Sequence, residues 1–243
     1  MPDTGNPYAD TRGMYVIHNV FRREFALLPA LIEAAGAADE ERLRVVADHV
    51  RLLCGLLHHH HSAEDAVLWP LLLTRAPWEI DPVVRLAEGH HQVIDTLLTE
   101  VAERLDAWHD GAADDGGQVL ALVLRRLAVA AREHMALEER LVLPLVERHI
   151  FNSEWEQMVQ LSAAGIAPEN LVFVVGMVMY EDGAEMIPPM IPVSMIEAAP
   201  KEYAAYCERV HGTSTPLRSA ELIIGTPFVG AASEVTRLAE MVR

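Results

Sequence analysis

HHHHSAEDAVLWP (residues 58–70) and EHMALEERLVLP (133–144) carry the same pattern twice. Each copy reads His-x3-Glu-acid-x4-Pro, from His60 to Pro70 in the first and from His134 to Pro144 in the second. On a helix, positions i and i+4 lie about 40° apart round the axis and about 6 Å along it. Each pair, His60/Glu64 and His134/Glu138, therefore presents an imidazole and a carboxylate on one face. Two donors so placed hold one metal ion, or span two ions a few ångströms apart. Imidazole with carboxylate suits iron, manganese or zinc and disfavours calcium and magnesium.

Working outward, both copies fall in long stretches of helical apolar spacing. Residues 11–35 place Val16, Val20, Leu27, Leu28, Leu31 and Ile32 on one face and stop at Gly36. Residues 39–74 open with the acidic turn Asp39-Glu40-Glu41, which suits the positive end of a helix dipole, and precede Pro77. Residues 82–110 open at Asp81-Pro82, a cap with proline at the first helical position. GAADDGG (111–117) is a loop, and 118–149 is a fourth helix. No alternation of β-branched residues competes. The expected fold is all-α: an antiparallel four-helix bundle over residues 10–150, followed by an accessory helical extension over 151–243. In the extension, Ser153-x-x-Glu156 reads as a capping box, 168–182 as an apolar helix, and 200–211 and 227–243 as further helices. The proline-rich stretch MIPPMIPV (186–193) cannot be regular helix.

Composition narrows the function. The 243 residues carry 36 acids against 19 bases, a net charge of −17, which speaks against nucleic acid as a partner. Cys54 and Cys207 form no CxxC, so neither a thiolate zinc site nor a disulfide framework is expected, and a reducing cytoplasm fits. The first residues, MPDTGNPYADTRG, lack the layout of a secretory leader. The longest apolar run, Leu171–Tyr180, is about half of a membrane span, so no membrane partner is expected. Gly111 to Gly117 follows no strand and is no dinucleotide loop. Histidine is the unusual residue: of twelve, eleven lie within the first 150 residues, and only His211 lies beyond.

Four consecutive histidines (58–61) make the register a choice. Counted back from the proline, His60 matches His134 whereas His61 matches Met135, so the repeat favours His60/Glu64. A site in a bundle core also draws a ligand from each remaining helix. The first offers His18; on the third, His90 is preferred to His91 because Val93 and Leu97, three and seven residues on, mark the inward stripe. Tyr15, one turn before His18, is a candidate extra donor, and His61, His91, Asp65 and Glu139 are candidate outer or additional ligands. His49 lies three turns before His60, roughly 16 Å away, too far to share its metal. Trp69, Val93, Leu97 and Leu137 are the expected pocket walls.

The pattern His18…His60-x3-Glu64…His90…His134-x3-Glu138 resembles the hemerythrin-like, or HHE cation-binding, family over roughly residues 10–150. The resemblance implies a non-haem di-iron centre of two oxo-bridged iron ions, with His18, His60, His90 and His134 as terminal ligands and Glu64 and Glu138 as bridges. The chain departs from the oxygen carriers of that family, which use five histidines and two carboxylates, with HxxxH on the third helix and HxxxxD on the fourth. Here Ile94 stands four residues after His90 and the fourth helix carries HxxxE. A set of four histidines and two glutamates leaves two metal positions open, more than a protected carrier prefers. The leading expectation is a protein that binds or reacts with dioxygen, peroxide or nitric oxide. Catalase-like peroxide disproportionation or another oxidation, and iron storage or donation, are the alternatives. Trp155 and Leu171–Tyr180 read as a cover over the bundle or as a homodimer contact.

Overall fold

The computed structural model describes residues 7–36, 39–110 and 117–222. The helix expected over 227–243 lies outside the described residues.

The described chain is helical, with one isolated antiparallel bridge between Tyr8 and Phe151. Helix α1 spans Arg12–Ala35. Helix α2 (Glu40–Ala63) starts where the Asp39 side chain accepts the Arg42 N–H at 2.9 Å, satisfying one of the first-turn donors. It passes through a π-turn, Glu64–Leu68, into α3 (Trp69–Arg75). Helix α4 is Pro77–His109. Helix α5 (Gln118–Leu137) passes through a second π-turn, Glu138–Val142, into α6 (Leu143–His149). Both π-turns begin at the glutamate of the repeat and end two residues before its proline. Trp69 and Leu143 donate their N–H five residues back, to the carbonyls of Glu64 and Glu138. Pro70 and Pro144 have no N–H, and their rings would meet the carbonyl four residues earlier, so the turn ahead of each proline widens. The same cause at the same spacing produces the same distortion twice.

Three boundaries differ from expectation. The third rod starts at Pro77, and Pro82 sits inside it, within the first two turns where a missing N–H costs little ladder. Helix α7 (Asn152–Ala164) is not capped by Ser153: the Phe151 N–H donates to Glu154 Oε2 at 3.0 Å, so the glutamate two residues before Glu156 closes the turn. Helix α9 reaches back from 200 to Val193, with Pro200 in its interior. Helix α8 is Leu171–Tyr180, and a short α10 covers Ser219–Leu222.

Among the long rods, α1 packs on α2 and α5, and α4 packs on α2 and α5. The interior is two apolar clusters. One joins Val20–Ile32 of α1, Val46–Leu57 of α2, Ile94–Trp108 of α4 and Leu120–Met135 of α5. The other joins Met14, Leu68–Leu72, Ile80–Ala87 and Leu137–Ile150. Each rod crosses from one cluster to the other: α1 and α4 run towards the first, and α2 and α5 run away from it. Burying these side chains, each worth about 1.5–3 kcal/mol, drives the assembly. At the crossing the apolar stripe is interrupted by His18, His60, His61, Glu64, His91, His134 and Glu138, all buried.

The extension wraps the rods. Helix α7 packs on α2 and its π-turn, α8 on α9 and α1, and α9 on α2. Trp155, Met158, Val174, Val175 and Met177 are buried within the chain. Gly176 lets α8 approach α9 closely; a Cβ there would lie 2.3 Å from Tyr203 Cβ. The contact is fixed electrostatically by Arg23, which is fully buried. It bonds Glu24 on its own helix, Glu181 after α8 at 2.6 Å and Tyr203 of α9 at 2.7 Å. Among the described residues no single helix is long and apolar enough to cross a membrane.

Candidate metal centre

The repeat places its donors at the seam between the clusters. His60 and Glu64 lie one turn apart, with Nε2 and Oε1 at 3.4 Å; in His134 and Glu138, Nε2 and Oε2 are 3.3 Å apart. From α1, His18 brings Nε2 to 3.4 Å from Glu138 Oε2. The α4 histidine that reaches the seam is His91, with Nε2 at 3.7 Å from Glu64 Oε2 and 3.1 Å from His134 Nε2. His61 stacks on His91, ring centroids 4.2 Å apart, and stands edge-on to His134 at 4.7 Å.

Two groups of donors result, each with ligand atoms mutually within 4.8 Å: His61, Glu64, His91 and His134, and His18, His60 and Glu138. Glu64 faces both groups, one oxygen towards His60 and the other towards His91. Glu138 Oε2 lies between His18 and His134.

The second acid of each motif copy has its own task. Asp65 Oδ1 lies 2.8 Å from His91 Nδ1 and accepts the Trp69 indole N–H at 2.8 Å. Glu139 Oε1 lies 2.8 Å from His18 Nδ1 and 2.8 Å from Arg22. Each carboxylate fixes the tautomer of a histidine on another rod: Nδ1 carries the proton, and Nε2 turns its lone pair into the seam. Burial works against ionising Asp65, but His91 and Trp69 hold it below the usual carboxylate range. His18 and Arg22 do the same for Glu139.

Inside, the electrostatics ask for a cation. Burial and then the neighbouring His18 push His60 down to about 3, and burial with His134 and His91 pushes His61 well down, so both are neutral bases. Burial and the Glu138 carboxylate drive Glu64 well up. Burial opposes ionisation of Glu138 too, yet His134 and His18 hold it well below the ordinary range. His18 is raised, because Glu138 and Glu139 outweigh its burial. Among the described residues, both oxygens of Glu64 and of Glu138, both ring nitrogens of His61 and Nε2 of His18 and His60 have no hydrogen-bond partner. So many buried orphans in one place are costly unless something positive satisfies them together. Imidazoles and carboxylates with no thiolate fit a borderline transition metal.

The structure brings together His60, Glu64, His134 and Glu138, which the repeat pairs, and His18, the first helix's candidate, and adds His61 and His91. His90 lies in neither donor group; its ring centroid is 6.0 Å from that of His134. The stripe used to orient α4 is corrected by one residue. Val93 is 53% exposed, and the buried face runs Ala87, His91, Ile94, Leu98, Val101 and Leu105. Val93 is therefore no wall of the seam; with Leu97 it borders an outer groove beside Arg125, Arg126 and Val129. Trp69 and Leu137 are buried, and the Trp69 ring is 6.1 Å from His91. Tyr15 is 41% exposed and reaches the Glu139 carbonyl at 3.5 Å rather than either donor group. A third group, Glu24, His49 and His211, was not foreseen. The signal for it was the single histidine of the extension and a mid-helix histidine on the inner stripe of α2.

Long helices closing histidines and carboxylates into an apolar interior define a non-haem metal-binding helical protein. The hemerythrin HHE cation-binding domain model matches residues 11–146, more than half of the chain, and the chain belongs to that family. No curated protein and no solved structure matches it.

Proposed function

We propose that this chain is an antiparallel four-helix bundle holding a dinuclear iron centre that binds dioxygen, nitric oxide or peroxide. The observation that carries the reading is the paired arrangement at the seam. Seven buried donors stand in two groups, Glu64 faces both, and Asp65 and Glu139 each orient a histidine. The opposed directions of successive rods support the bundle. One metal would take His61, Glu64, His91 and His134, and the other His18, His60 and Glu138, with Glu64 shared. An iron pair, when bound, supplies positions for a small ligand and electrons to exchange with it.

The ligand count favours binding over open-ended chemistry. Five histidines and two glutamates offer nine donor atoms, one more than four histidines would, and so fewer positions remain for anything else. Buried aromatic rings stand against the seam, Phe21 at 5.4 Å from His60 and Trp69 at 6.1 Å from His91, and favour small ligands over bulk water. Asp65 is half-exposed and tied to His91, which makes it the residue to carry a proton between the seam and solvent.

The test is anaerobic reconstitution of the metal-free chain with ferrous iron, an iron count, and optical spectra before and after dioxygen, nitric oxide and peroxide. Two irons per chain and a reversible spectral change with a diatomic ligand are expected. Sustained gas evolution from peroxide would replace the binder with an enzyme, and fewer than two irons would overturn the dinuclear reading.

A further inference from the structure

We propose that Glu24, His49 and His211 form a second, mononuclear site for a zinc-type divalent metal, which fastens the extension to the rods. The three residues come from α1, α2 and the last position of α9. Their side chains are 0%, 0% and 5% exposed. Glu24 Oε2 lies 3.3 Å from His49 Nε2 and 3.4 Å from His211 Nε2. Among the described residues none of these three atoms has a hydrogen-bond partner. Charge-assisted N–H···O bonds close to about 2.7–2.9 Å, so these atoms face one another at ion-pair distance without closing a hydrogen bond. The spacing is that of ligands round a small cation. With metal–ligand bonds of about 2.0–2.2 Å, the edge of a tetrahedron is about 3.3–3.6 Å.

The remaining atoms of Glu24 and His49 are already committed, which leaves their inward atoms as lone-pair donors. Glu24 Oε1 accepts Arg23 Nε at 3.0 Å, Arg23 Nη2 at 2.7 Å and the Tyr203 hydroxyl at 3.1 Å. His49 Nδ1 is 2.7 Å from the Tyr206 hydroxyl, and a proton on Nδ1 donated to that oxygen leaves Nε2 bare. Arg23 does not repel the ion unopposed, because its other arm is taken by Glu181 at 2.6 Å. Two imidazoles and one carboxylate make a hard-to-borderline donor set, and a fourth position is left for water. His49 precedes His60 by three turns of α2, roughly 16 Å, so this ion would be separate from those at the seam.

The experiment titrates the metal-free full-length chain with cobalt(II), followed by its visible absorption, and counts bound zinc(II) by elemental analysis. His211→Gln and His49→Gln are each expected to bind one equivalent fewer than the unsubstituted chain and to lose one cobalt's share of the visible absorption, the seam keeping its own. Tyr206→Phe keeps the stoichiometry and weakens the site about 10–100-fold. The lost equivalent must persist in His91→Ala, whose effect falls on the seam; this separates failure here from failure of the dinuclear reading. An equal metal count in the unsubstituted chain and His211→Gln overturns the proposal, as does a saturated cobalt spectrum of equal intensity in the two, since the seam donors are intact in both. Should His49→Gln not fold, His211→Gln at the helix end and Tyr206→Phe decide.

Discussion

Glu64→Gln in the metal-free chain puts a sign on the electrostatics of the seam. Glu64 is fully buried, its oxygens are unpartnered, and its proton is held well above the ordinary value of 4.5 by burial and by Glu138. Above pH 4.5 the unfolded chain has released that proton while the folded chain keeps it, so stability falls as pH rises towards the folded value. At pH 7 the loss reaches at most about 3–3.5 kcal/mol, at about 1.4 kcal/mol per pH unit. Glutamine has the same shape and no proton to lose, and it leaves about one amide N–H unmatched at a cost of about 1 kcal/mol. The variant should therefore be the more stable in chelator at pH 7, by up to about 2 kcal/mol or about 4–8 °C in melting temperature. Near pH 4, where both side chains are neutral in both states, the advantage should be gone and the variant about 1 kcal/mol the less stable. With metal bound the order reverses, because the variant has lost a charged ligand. Urea and thermal unfolding at both pH values, with chelator and with ferrous iron, measure all three quantities. A variant less stable than the parent in chelator at pH 7, or an advantage equal at pH 4 and pH 7, would refute the reasoning.

Ligand identity separates two adjacent pairs: His61→Ala should lower the iron count below two per chain, and His90→Ala should leave it at two, by elemental analysis. Asp65→Ala and Glu139→Ala should each weaken iron binding about 10–100-fold while leaving the saturating stoichiometry unchanged, because they act through His91 and His18. Metal uptake at pH 7 should release about one to two protons, from Glu64 and the raised His18 and none from His60 or His61. The number should fall as pH rises and His18 empties beforehand; calorimetry in buffers of different ionisation enthalpy counts them. Arg23→Met strands Glu24 and Glu181 in the interior and should cost about 3–5 kcal/mol in urea unfolding.

Much was legible before the fold. The helix spans followed from apolar spacing, the metal-binding pairs from a motif present twice, and the family from both. The prolines ten residues after His60 and His134 served as rulers for aligning the copies. Only the structure shows that they also widen the backbone at Glu64 and Glu138.

What sequence alone could not decide was rotation. Neighbouring helical residues differ by about 100° round the axis, so His60 and His61, or His90 and His91, cannot be ranked until the packing of the rods sets the angle of each. On α4 that angle is set by Ala87, Ile94, Leu98 and Val101, which face inward and carry His91 with them. On α2 the inner face is broad enough for both His60 and His61 to enter it, one to each donor group. The trio of Glu24, His49 and His211 was out of reach for a simpler reason. Its members come from three helices, the last of them in the extension, and no local period relates them. The docking of α9 against α1 and α2 brings them together, through buried contacts made by Arg23, Tyr203 and Tyr206. Local periodicity determines which residues a helix has to offer; the relief of buried charge and apolar surface in the assembled interior determines which of them meet.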